Sequence, residues 1–343
     1  MADRGIVIGI ENYPGISDLA GPCNDAERFA NWLIDPDKGG LDSSDVALIN
    51  SRQFPKPNSV DDARPVLSEV NALFRPLVTQ AANGNQVDDR LFIFAAGHGF
   101  ADPQDMSSAA VYTAEASQFW SVNIAINNYA QFLRRQFAFR EIILIVDACR
   151  TTFPTQRIER PQLPELDPHP YADRVKLFQA YATGFGKESR ERHFGAEVRG
   201  IFTEAIMDAL NKAVPNRLGR VTGSIVSRHV HNVIDRIAAT DTVAPPEIVF
   251  DENRDALFIE RDPPATDDAI SADGINTLFA TQDHHQNQTL ILETGSPSVE
   301  VGRVTIQSSP TALSLLPGIY KAVVEETGQT MLFEVPGNDI VSL

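Results

Sequence analysis

The sequence predicts a mixed α/β fold, with a mostly parallel sheet flanked by helices, followed by a small all-β sandwich domain. Residues 91–95 and 142–146 form continuous apolar runs, which are typical of strands buried on both faces of a parallel sheet. Segments with helical periodicity separate these runs, as expected for an open α/β sheet. Towards the C-terminus, short apolar segments alternate with Gly and Pro turns, which indicates antiparallel strands. The expected divisions of the chain are a first domain over residues 1–262, a linker over 263–274 and a second domain over 275–343.

Expected strands and helices alternate along most of the first domain. Asn24 or Asp25 is the expected N-cap of the first helix. In chain order, the expected strands are 5–10, 46–50, 91–95, 109–113, 142–146, 175–183 and the two segments 246–250 and 256–259, which form one last strand or hairpin. The expected helices are 24–34, 61–82, 124–137, 200–210 and 226–239. In the second domain, the expected strands are 289–292, 299–306, 318–324 and 331–335.

Residues 150–174 are expected to form an exposed, mobile loop, because the prolines of this segment are incompatible with regular structure. Residues 184–198 are rich in glycine and in charged side chains, and we expect a second loop there. The prolines of the first loop are Pro154, Pro161, Pro164, Pro168 and Pro170, and its basic residues include Arg150, Arg157, Arg160 and Arg174.

The composition argues against several classes of protein. A formal net charge of −17 leaves little basic surface to neutralise a nucleic-acid backbone or to bind an anionic membrane. The first residues lack the apolar region of a signal peptide, and no run approaches the ~18 apolar residues of a membrane-spanning helix. The chain has only two cysteines, so no disulfide framework is expected. We therefore expect a cytosolic (cytoplasmic) protein with neither nucleic-acid nor membrane partners.

His98 and Cys149 each follow one of the two apolar runs, at the carboxyl end of an expected strand. Ligands of open α/β sheets bind beyond these ends, so neighbouring strands would bring the imidazole and the thiol together. That pair is the minimum apparatus for a cysteine nucleophile with a general base. The flanking Gly97 lets the backbone turn sharply, and Gly99 leaves its N–H open, so we expect the N–H groups of Gly99 and Cys149 to form an oxyanion hole. The alternative roles are a buried structural thiol and a loop histidine.

These motifs resemble those of the caspase-like clan, which includes caspases, metacaspases and their bacterial relatives. Cys149 lies 51 residues after His98, and caspases place the His about 50 residues before the Cys. Two of the five positions around the Cys depart from the caspase pattern. The Gly-His-Gly triplet at 97–99, with Asp147 two residues before the Cys, is more similar to metacaspases and bacterial caspase-like proteins. The other matching segments are 5–13 and 19–26, and together the motifs cover roughly residues 1–260.

The resemblance implies a thiol protease that uses the His98/Cys149 dyad to cleave proteins after Arg or Lys. Asp147 lies two residues before the Cys, so both side chains point to the same face of a strand. A carboxylate at the end of an apolar run needs a partner, and it either caps backbone amides or binds a substrate cation. Asp25 falls where metacaspases place the other acidic wall of that pocket, and its alternative role is a helix N-cap.

Two further segments are assigned to substrate binding and activation. The strand 177–183 is expected to provide an edge on which the substrate pairs as an added strand, with Ala182 and Thr183 binding it. The 150–174 loop joins the nucleophile strand to this strand, so we expect a zymogen that is cut in the loop by itself or by an upstream protease. The two fragments would stay together, because both contribute strands to one sheet. The expected processing sites are Arg157 and Arg160.

No metal or cofactor is expected. His229 and His231 diverge on a helix, and His284 and His285 are adjacent in a loop without a cysteine beside them. The acidic cluster that makes many metacaspases calcium-dependent is not evident after Thr183. The chemistry is therefore expected to depend on side chains and backbone alone.

The second domain shows no residues that suggest chemistry, and we expect it to bind a partner or a regulator. By family analogy alone, we expect a role in a bacterial defence or cell-death pathway. Two other classes remain open. One is a catalytically idle scaffold with the same fold, which is disfavoured because both dyad residues are present. The other is a nucleotide-binding module, which is disfavoured because residues 5–9 lack a phosphate-binding G-x-G-x-x-G pattern.

Overall fold

The computed structural model of the chain divides into two compact units. One unit comprises Met1–Pro215 and Arg220–Arg261, and the other comprises Asn216–Gly219 and Asp262–Leu343. In the part of the chain that the structure describes, no helix has both the length and the apolar content needed to cross a bilayer. The described residues are 3–153, 156–216, 219–261, 270–280, 288–294, 299–306, 311–315, 318–335 and 340–342.

The first unit alternates strands and helices along the chain. Its strands are β1 (Asp3–Gly9), β2 (Val46–Asn50), β3 (Arg90–Ala96), β4 (Gly99–Phe100), β5 (Ala110–Tyr112), β6 (Asn123–Ile124), β7 (Glu141–Asp147), β8 (Lys176–Tyr181), β9 (Glu191–Phe194), β10 (Glu197–Gly200), β11 (Arg220–Thr222), β12 (Glu247–Phe250) and β13 (Leu257–Glu260). Its α-helices are α1 (Pro22–Ile34), α2 (Leu67–Ala82), α3 (Ile126–Arg135), α4 (Ile201–Lys212) and α5 (Gly223–Ala238).

A six-stranded sheet with the order β12-β8-β7-β3-β1-β2 forms the centre of this unit. Its strands pair in parallel from β2 to β8, whereas β12 runs antiparallel to β8. The two strands predicted to be buried, β3 and β7, are neighbours, and Ala96 lies opposite Asp147 at their carboxyl ends. These ends therefore meet at one end of the sheet, and the predicted fold class is confirmed.

Helices cover both faces of the sheet. Side chains alternate between the two faces along each strand, so neighbouring residues of one strand pack into opposite cores. On β3, Ile93 belongs to the core that contains Phe74 of α2 and Tyr129 of α3. Phe94 belongs to the opposite core, where its ring stacks on Phe29 of α1 with centroids 4.9 Å apart. Each fully buried aromatic side chain stabilises the fold by roughly 1.5–3 kcal/mol. The packed faces hold β3 and β7 rigidly in place and so fix the positions of the loops that follow them.

The start of α2 differs from the prediction. The helix predicted over 61–82 begins at Leu67, because Pro65 lacks an N–H and disfavours helical geometry at the residue before it. A carboxylate oxygen of Glu69 accepts a hydrogen bond from the Val66 N–H at 2.9 Å and satisfies one of the donors at this helix start.

Two predicted connections also differ from the structure. Segments 246–250 and 256–259 do not form one hairpin, because β12 pairs with β8 whereas β13 pairs with β11. The loop predicted over 184–198 contains the β9–β10 hairpin. The partners of β12 and β13 are distant in sequence, so local patterns do not reveal them.

The second unit is built from strands. Leu315 shares one small core with Leu290, Tyr320 and other apolar side chains, so the two sheets seen among its described residues both contribute to this core. Residues 263–269 of the predicted linker lie outside the described residues, whereas 270–274 belong to the first strand of the unit rather than to a linker. The strands are β14 (Ile270–Ala280), β15 (Thr289–Thr294), β16 (Val299–Thr305), β17 (Thr311–Leu315), β18 (Gly318–Val324), β19 (Thr330–Val335) and β20 (Ile340–Ser342), in sheets of order β17-β14-β20 and β16-β15-β18-β19.

Candidate active site

The loops that follow β3 and β7 continue side by side beyond the sheet. Backbone hydrogen bonds of 3.2 and 2.9 Å join segment 97–101 to segment 147–151, one near each end of the two segments. His98 and Cys149 each lie between these two bonds. The predicted dyad residues therefore stand on adjacent loops, as their positions after neighbouring strands predict.

His98 is held by the loop that follows β1. Its Nε2 lies 2.9 Å from the carbonyl oxygen of Ser17, which can only accept, so Nε2 carries the proton. The lone pair of Nδ1 then remains for a general base. The Tyr13 ring lies 4.9 Å from the imidazole, measured between centroids. Its hydroxyl accepts from the His98 N–H and donates to the Tyr112 carbonyl, both at 3.2 Å, so Tyr13 fixes the backbone that carries the imidazole.

Sequence reasoning did not identify Ser17 or Tyr13 as part of the site. Tyr13 ends the matching segment 5–13, and a polar aromatic residue in the loop that follows a buried strand is the available signal. Ser17 orients His98 chiefly through its backbone carbonyl, and a side-chain pattern carries no information about that contact.

The glycines beside His98 permit close approach of neighbouring chain segments. A Cβ at Gly97 would lie 2.5 Å from the Tyr13 hydroxyl. A Cβ at Gly99 would lie 2.6 Å from the Ala110 carbonyl oxygen and 2.9 Å from that of Cys149. Either contact is too short for a real methyl group, so side chains are excluded at both positions. The oxyanion hole from the N–H groups of Gly99 and Cys149 stays a prediction.

Cys149 is partly buried, and its thiol contacts Ser189. The Ser189 N–H donates to Sγ at 3.3 Å, and Sγ lies 3.8 Å from the Ser189 carbonyl oxygen. Among the residues that the structure describes, no hydrogen bond joins Sγ to the His98 ring. Burial raises the pKa of the Cys149 thiol, and the Ser189 N–H opposes this rise. The thiol is therefore protonated near neutral pH in this conformation and needs a base to become nucleophilic.

Asp25 and Asp147 come together at the backbone of Gly200, and we call this pair of carboxylates the acidic pocket. A Cβ at Gly200 would collide with Asp147 Oδ2 and lie 3.1 Å from Asp25 Oδ2. The Gly200 N–H donates to Asp25 Oδ2 at 2.8 Å, whereas Asp25 Oδ1 is buried without a hydrogen-bond partner among the described residues. Burial, and then the charge of Asp147, raise the pKa of Asp25 well above its usual range.

Asp147 accepts hydrogen bonds from two other segments. Its Oδ2 accepts from the backbone N–H and the hydroxyl of Thr203, at 3.0 and 2.6 Å, and its Oδ1 accepts from the Ser189 hydroxyl at 2.7 Å. Burial raises the pKa of Asp147, and these bonds oppose the rise. Thr203 lies in the first turn of α4, so Asp147 caps this helix while it lines the acidic pocket. Both roles considered for Asp147 from the sequence are thus compatible with its position.

The N-cap role considered for Asn24 or Asp25 is wrong. Helix α1 begins at Pro22 after Gly21, and no side chain caps it. Asp25 lies in the first turn, and its carboxylate turns away from the helix to accept from Gly200. This contact brings Asp25 to the acidic pocket.

The strand predicted to be a substrate-binding edge lies inside the sheet. β8 pairs with β7 on one side and with β12 on the other, so that prediction is wrong over the length of β8. Ala182 and Thr183 follow β8 and are both buried. The Ala182 N–H donates to the Val146 carbonyl at 2.9 Å, and the Thr183 carbonyl accepts from Arg150 at 3.3 Å. Their role in substrate binding stays a prediction.

Arg150 begins the loop predicted to be exposed, but its side chain is fully buried, so the prediction fails at this residue. Its Nη1 donates to the Glu247 carboxylate at 2.7 Å and to the Thr183 carbonyl at 3.3 Å. Its Nε and Nη2 donate to the carbonyls of Ser108 and Met106. The residue after Cys149 therefore ties three separate segments of the chain together.

We expect Arg150→Met to lower the free energy of unfolding by about 3 kcal/mol, because buried carbonyls and a carboxylate lose their donor. The change also removes the guanidinium from the Tyr181 ring, whose centroid lies 4.3 Å from Cζ. Urea unfolding measures the loss, with Arg174→Met at an exposed position of the same loop as the matched control. Arg150→Lys should recover part of the stability, because an ammonium keeps the charge but lacks the planar fork. Equal loss in Arg150→Met and Arg174→Met would contradict the structural role of Arg150.

The two helix histidines outside the site have other partners. Among the described residues, no group of three or more His, Cys, Asp or Glu is arranged to hold a metal ion. His229 Nε2 lies 2.8 Å from the Asp208 carboxylate, and His231 Nδ1 lies 2.8 Å from the Ser227 carbonyl oxygen. The remaining candidates from the sequence, at 284 and 285, lie outside the described residues.

The chain is similar to known proteins over most of its length. Residues 3–239 match the family model of the caspase domain. A probable protease from a Desulfuromonadales bacterium is 27% identical over 215 residues, which cover 61% of this chain and 26% of that protein. This chain thus spans about a quarter of the length of that curated relative. Among solved structures, caspase-1 from Spodoptera frugiperda is 13% identical with a TM-score of 0.49, covering 76% of this chain and 92% of that chain. A protein from Geobacter sulfurreducens is 12% identical with a TM-score of 0.45, covering 76% and 98% of the two chains.

Proposed function

The chain belongs to the caspase-domain family, and from this premise we propose that it is a cysteine endopeptidase that cleaves proteins after Arg or Lys. The observation that carries the proposal is the acidic pocket, in which Asp147 lies two residues before Cys149 and approaches the same Gly200 backbone as Asp25. Two nearly buried carboxylates at one position favour a cationic side chain and oppose an acidic one. Comparison of Arg peptides with Asp peptides, beside a variant that lacks the thiol, tests this function.

The proposed reaction begins when Nδ1 of His98 removes the proton of the Cys149 thiol. The thiolate attacks the carbonyl carbon of the scissile peptide bond, and the N–H groups of Gly99 and Cys149 stabilise the oxyanion. The imidazolium gives its proton to the leaving nitrogen as the C–N bond breaks, which leaves a thioester. Water, deprotonated by His98, then hydrolyses the thioester and restores the thiol. The Ser17 carbonyl beside Nε2 keeps the imidazole in the required tautomer.

The acidic pocket supplies the substrate preference in this proposal. Asp25 Oδ1 is buried without a hydrogen-bond partner among the described residues, so a guanidinium or ammonium group from the substrate would supply the missing donor. Charge-assisted bonds to carboxylates are roughly twice as strong as neutral ones, and a planar guanidinium can donate two in parallel. Arg is therefore expected to be preferred over Lys.

We also propose that the chain is made as a low-activity zymogen. Residues 184–190, which we call the capping segment, contact the site through Ser189. The Ser189 N–H donates to Cys149 Sγ, and its hydroxyl donates to Asp147 Oδ1. The backbone of Arg150 donates to the Lys187 carbonyl and accepts from the Gly186 N–H, both at 2.9 Å. Because Arg150 begins the 150–174 loop, a cut in that loop would loosen the anchor of the capping segment. Ser189 could then withdraw from the thiol and from Asp147.

The two proposed processing sites lie in different surroundings. The Asn123 side chain donates to the Arg157 carbonyl at 3.1 Å and accepts from the Glu159 N–H at 3.0 Å, and Ile158 packs against the core. Arg160 is exposed and precedes Pro161. A protease would have to release the Asn123 contacts to cut after Arg157, whereas the bond after Arg160 is accessible but has a proline on its far side.

We expect the Arg157→Ala/Arg160→Ala double variant to remain a single full-length chain, with kcat/KM on Arg peptides at least about tenfold below that of the processed wild type, equivalent to ~1.4 kcal/mol. Without a cut, the capping segment stays anchored to Arg150 and Ser189 stays on the thiol. Mass spectrometry of the purified protein, paired with the peptide assay, measures both quantities. Arg174→Ala at an exposed position of the same loop is the control and should process normally. Full activity in an intact chain would show that the loop is only a connection.

A catalytically idle scaffold is the second candidate function. The observation that favours the scaffold is that the Cys149 thiol is hydrogen-bonded to Ser189, whereas no hydrogen bond joins it to His98 among the described residues. The zymogen and the scaffold differ in one result: a chain cut in the 150–174 loop turns over Arg peptides if it is a protease and does not if it is a scaffold.

The remaining expectations stay predictions. An upstream activating protease, a cytosolic location and a bacterial defence or cell-death role come from the sequence and from family analogy. A partner bound by the second unit is inferred from its lack of residues that suggest chemistry. Protein substrates are in accord with the family to which the chain belongs.

A further inference from the structure

Two consecutive aromatic residues stand exposed in a turn of the first unit. Phe119 is 98% exposed and Trp120 is 71% exposed. Backbone hydrogen bonds of 2.8 and 3.2 Å between Ser117 and Trp120 close the turn, so its backbone is ordered although its side chains face solvent. We call residues 117–120 the aromatic turn. Single exposed apolar side chains are common, but adjacent aromatic side chains on a hydrogen-bonded turn indicate a contact surface.

The aromatic turn is attached to the loop that holds His98. Ser117 forms a parallel bridge with Gly15, and a Cβ at Gly15 would lie 2.6 Å from the Ala116 carbonyl oxygen. Ile16, which is 38% exposed, follows Gly15 directly. The next residue is Ser17, whose carbonyl accepts from His98 Nε2. One short stretch of backbone therefore connects the aromatic turn to the catalytic base.

The chemistry of the proposed reaction indicates which part of the substrate would reach the aromatic turn. The acidic pocket takes the side chain before the scissile bond, whereas His98 must reach the leaving nitrogen to protonate it. The part of the substrate that follows the scissile bond therefore leaves the site past His98. Ile16 is exposed and lies next to Ser17, which contacts His98, and the aromatic turn is joined to the same loop through the bridge between Ser117 and Gly15.

We infer that Ile16, Phe119 and Trp120 form a subsite for an apolar side chain immediately after the scissile bond. The inference rests on the proposed peptidase function and adds a second element of specificity to it. Burial of a Leu or Phe side chain between these residues would contribute binding energy on the leaving-group side. The acidic pocket and the aromatic turn together then select a cationic residue followed by an apolar one.

The subsite distinguishes the two candidate processing bonds of the 150–174 loop, which follow Arg157 and Arg160. Arg157 is followed by Ile158, which is apolar, whereas Arg160 is followed by Pro161. Proline lacks the N–H and has a ring carbon bound to the nitrogen that His98 must approach. The chain's own processing is therefore assigned to the Arg157–Ile158 bond.

Quenched fluorescent peptides with a fixed Arg and Leu, Phe, Gly or Asp after it test the subsite. For the protein cut in the 150–174 loop, with both units present, kcat/KM for the Leu and Phe peptides should exceed that for the Gly peptide about tenfold, with the Asp peptide slowest. In Phe119→Ser/Trp120→Ser the Leu-to-Gly ratio should fall to about one. Leu332→Ser, at a residue that is 72% exposed and lies in the second unit, is the control and should keep the wild-type ratio.

The outcomes separate the subsite from the function on which it rests. Turnover of all four Arg peptides at equal rates, or a wild-type ratio in Phe119→Ser/Trp120→Ser, would overturn the subsite and leave the peptidase intact. No turnover of any Arg peptide would overturn both. Where the chain cuts itself rather than being cut by an upstream protease, sequencing the N-terminus of the processed fragment adds an independent result: Ile158 supports the subsite, and Pro161 contradicts it.

Discussion

Cys149→Ala is expected to lower kcat/KM on Arg peptides by at least about 10⁴-fold, because the reaction loses its nucleophile. The structure offers no substitute at this position. The other cysteine, Cys23, is fully buried, and burial raises the pKa of its thiol to about 12. The fold should be little affected, since Sγ of Cys149 makes only weak hydrogen bonds to Ser189. A quenched Arg peptide measures activity, and thermal unfolding should give a Tm within about 4 °C of the wild type.

The matched control is Cys23→Ala, which removes a thiol of the same chemistry outside the site. Its Sγ contacts the Gly9 carbonyl at 3.6 Å, so this variant should lose some stability and keep its activity. His98→Ala should fall to the same activity as Cys149→Ala, because the two residues act as one unit. Substantial activity in Cys149→Ala, or loss of activity in Cys23→Ala equal to it, would contradict the assignment of the nucleophile.

Asp25→Asn is expected to reduce kcat/KM for Arg peptides about a hundredfold, equivalent to ~3 kcal/mol of lost charge-assisted binding, and to raise stability at neutral pH. The pKa of Asp25 is raised by burial and by Asp147, so its folded state favours the protonated form. The stability from that form is complete below about pH 4, the ordinary carboxyl range, and is lost as pH rises through the raised pKa. Above that pKa the fold contains a buried carboxylate beside Asp147, and a neutral Asn removes the cost.

Peptide turnover and thermal unfolding at pH 5 and pH 8 measure the two effects together. The stability gain from Asp25→Asn should be larger at pH 8, where the wild-type carboxylate is more often charged. Asp147→Asn is the comparison, because it weakens the same pocket but also weakens the cap on α4 through Thr203, so it should lose activity and stability together. Unchanged Arg turnover in Asp25→Asn, or faster turnover of Asp peptides than Arg peptides by the wild type, would refute the acidic pocket.

The sequence predicts the central sheet because the apolar pattern of its buried strands is contained in short segments of the chain. An apolar run that is buried on both faces is recognised from its own residues, and His98 and Cys149 follow two such runs that turn out to be neighbours. Asp25 and Asp147 were assigned to one pocket from the family resemblance, and the structure places both at Gly200. These parts depend on short segments whose chemistry is visible without their partners.

The features that the sequence misses depend on contacts between distant segments. Ser189 is forty residues from the thiol that it contacts, and the charge-rich segment around it has the composition of an ordinary loop. The burial of Arg150 depends on Glu247, which lies ninety-seven residues away. β8 has no free edge because β12 returns to pair with it. None of these pairings is encoded in a periodicity or in a spacing.

The order of strands in the central sheet determines how the stability of a processed enzyme would depend on its concentration. The 150–174 loop connects β7 to β8, which pair in parallel from Glu141 with Lys176 to Val146 with Tyr181. A cut in this loop places the two strands on separate chains, so folding becomes an association of two molecules and its midpoint depends on protein concentration. Each tenfold dilution would then cost about 1.4 kcal/mol of apparent stability. Dilution would therefore lower the apparent stability of the cut form, whereas the uncut chain would fold equally well at any concentration.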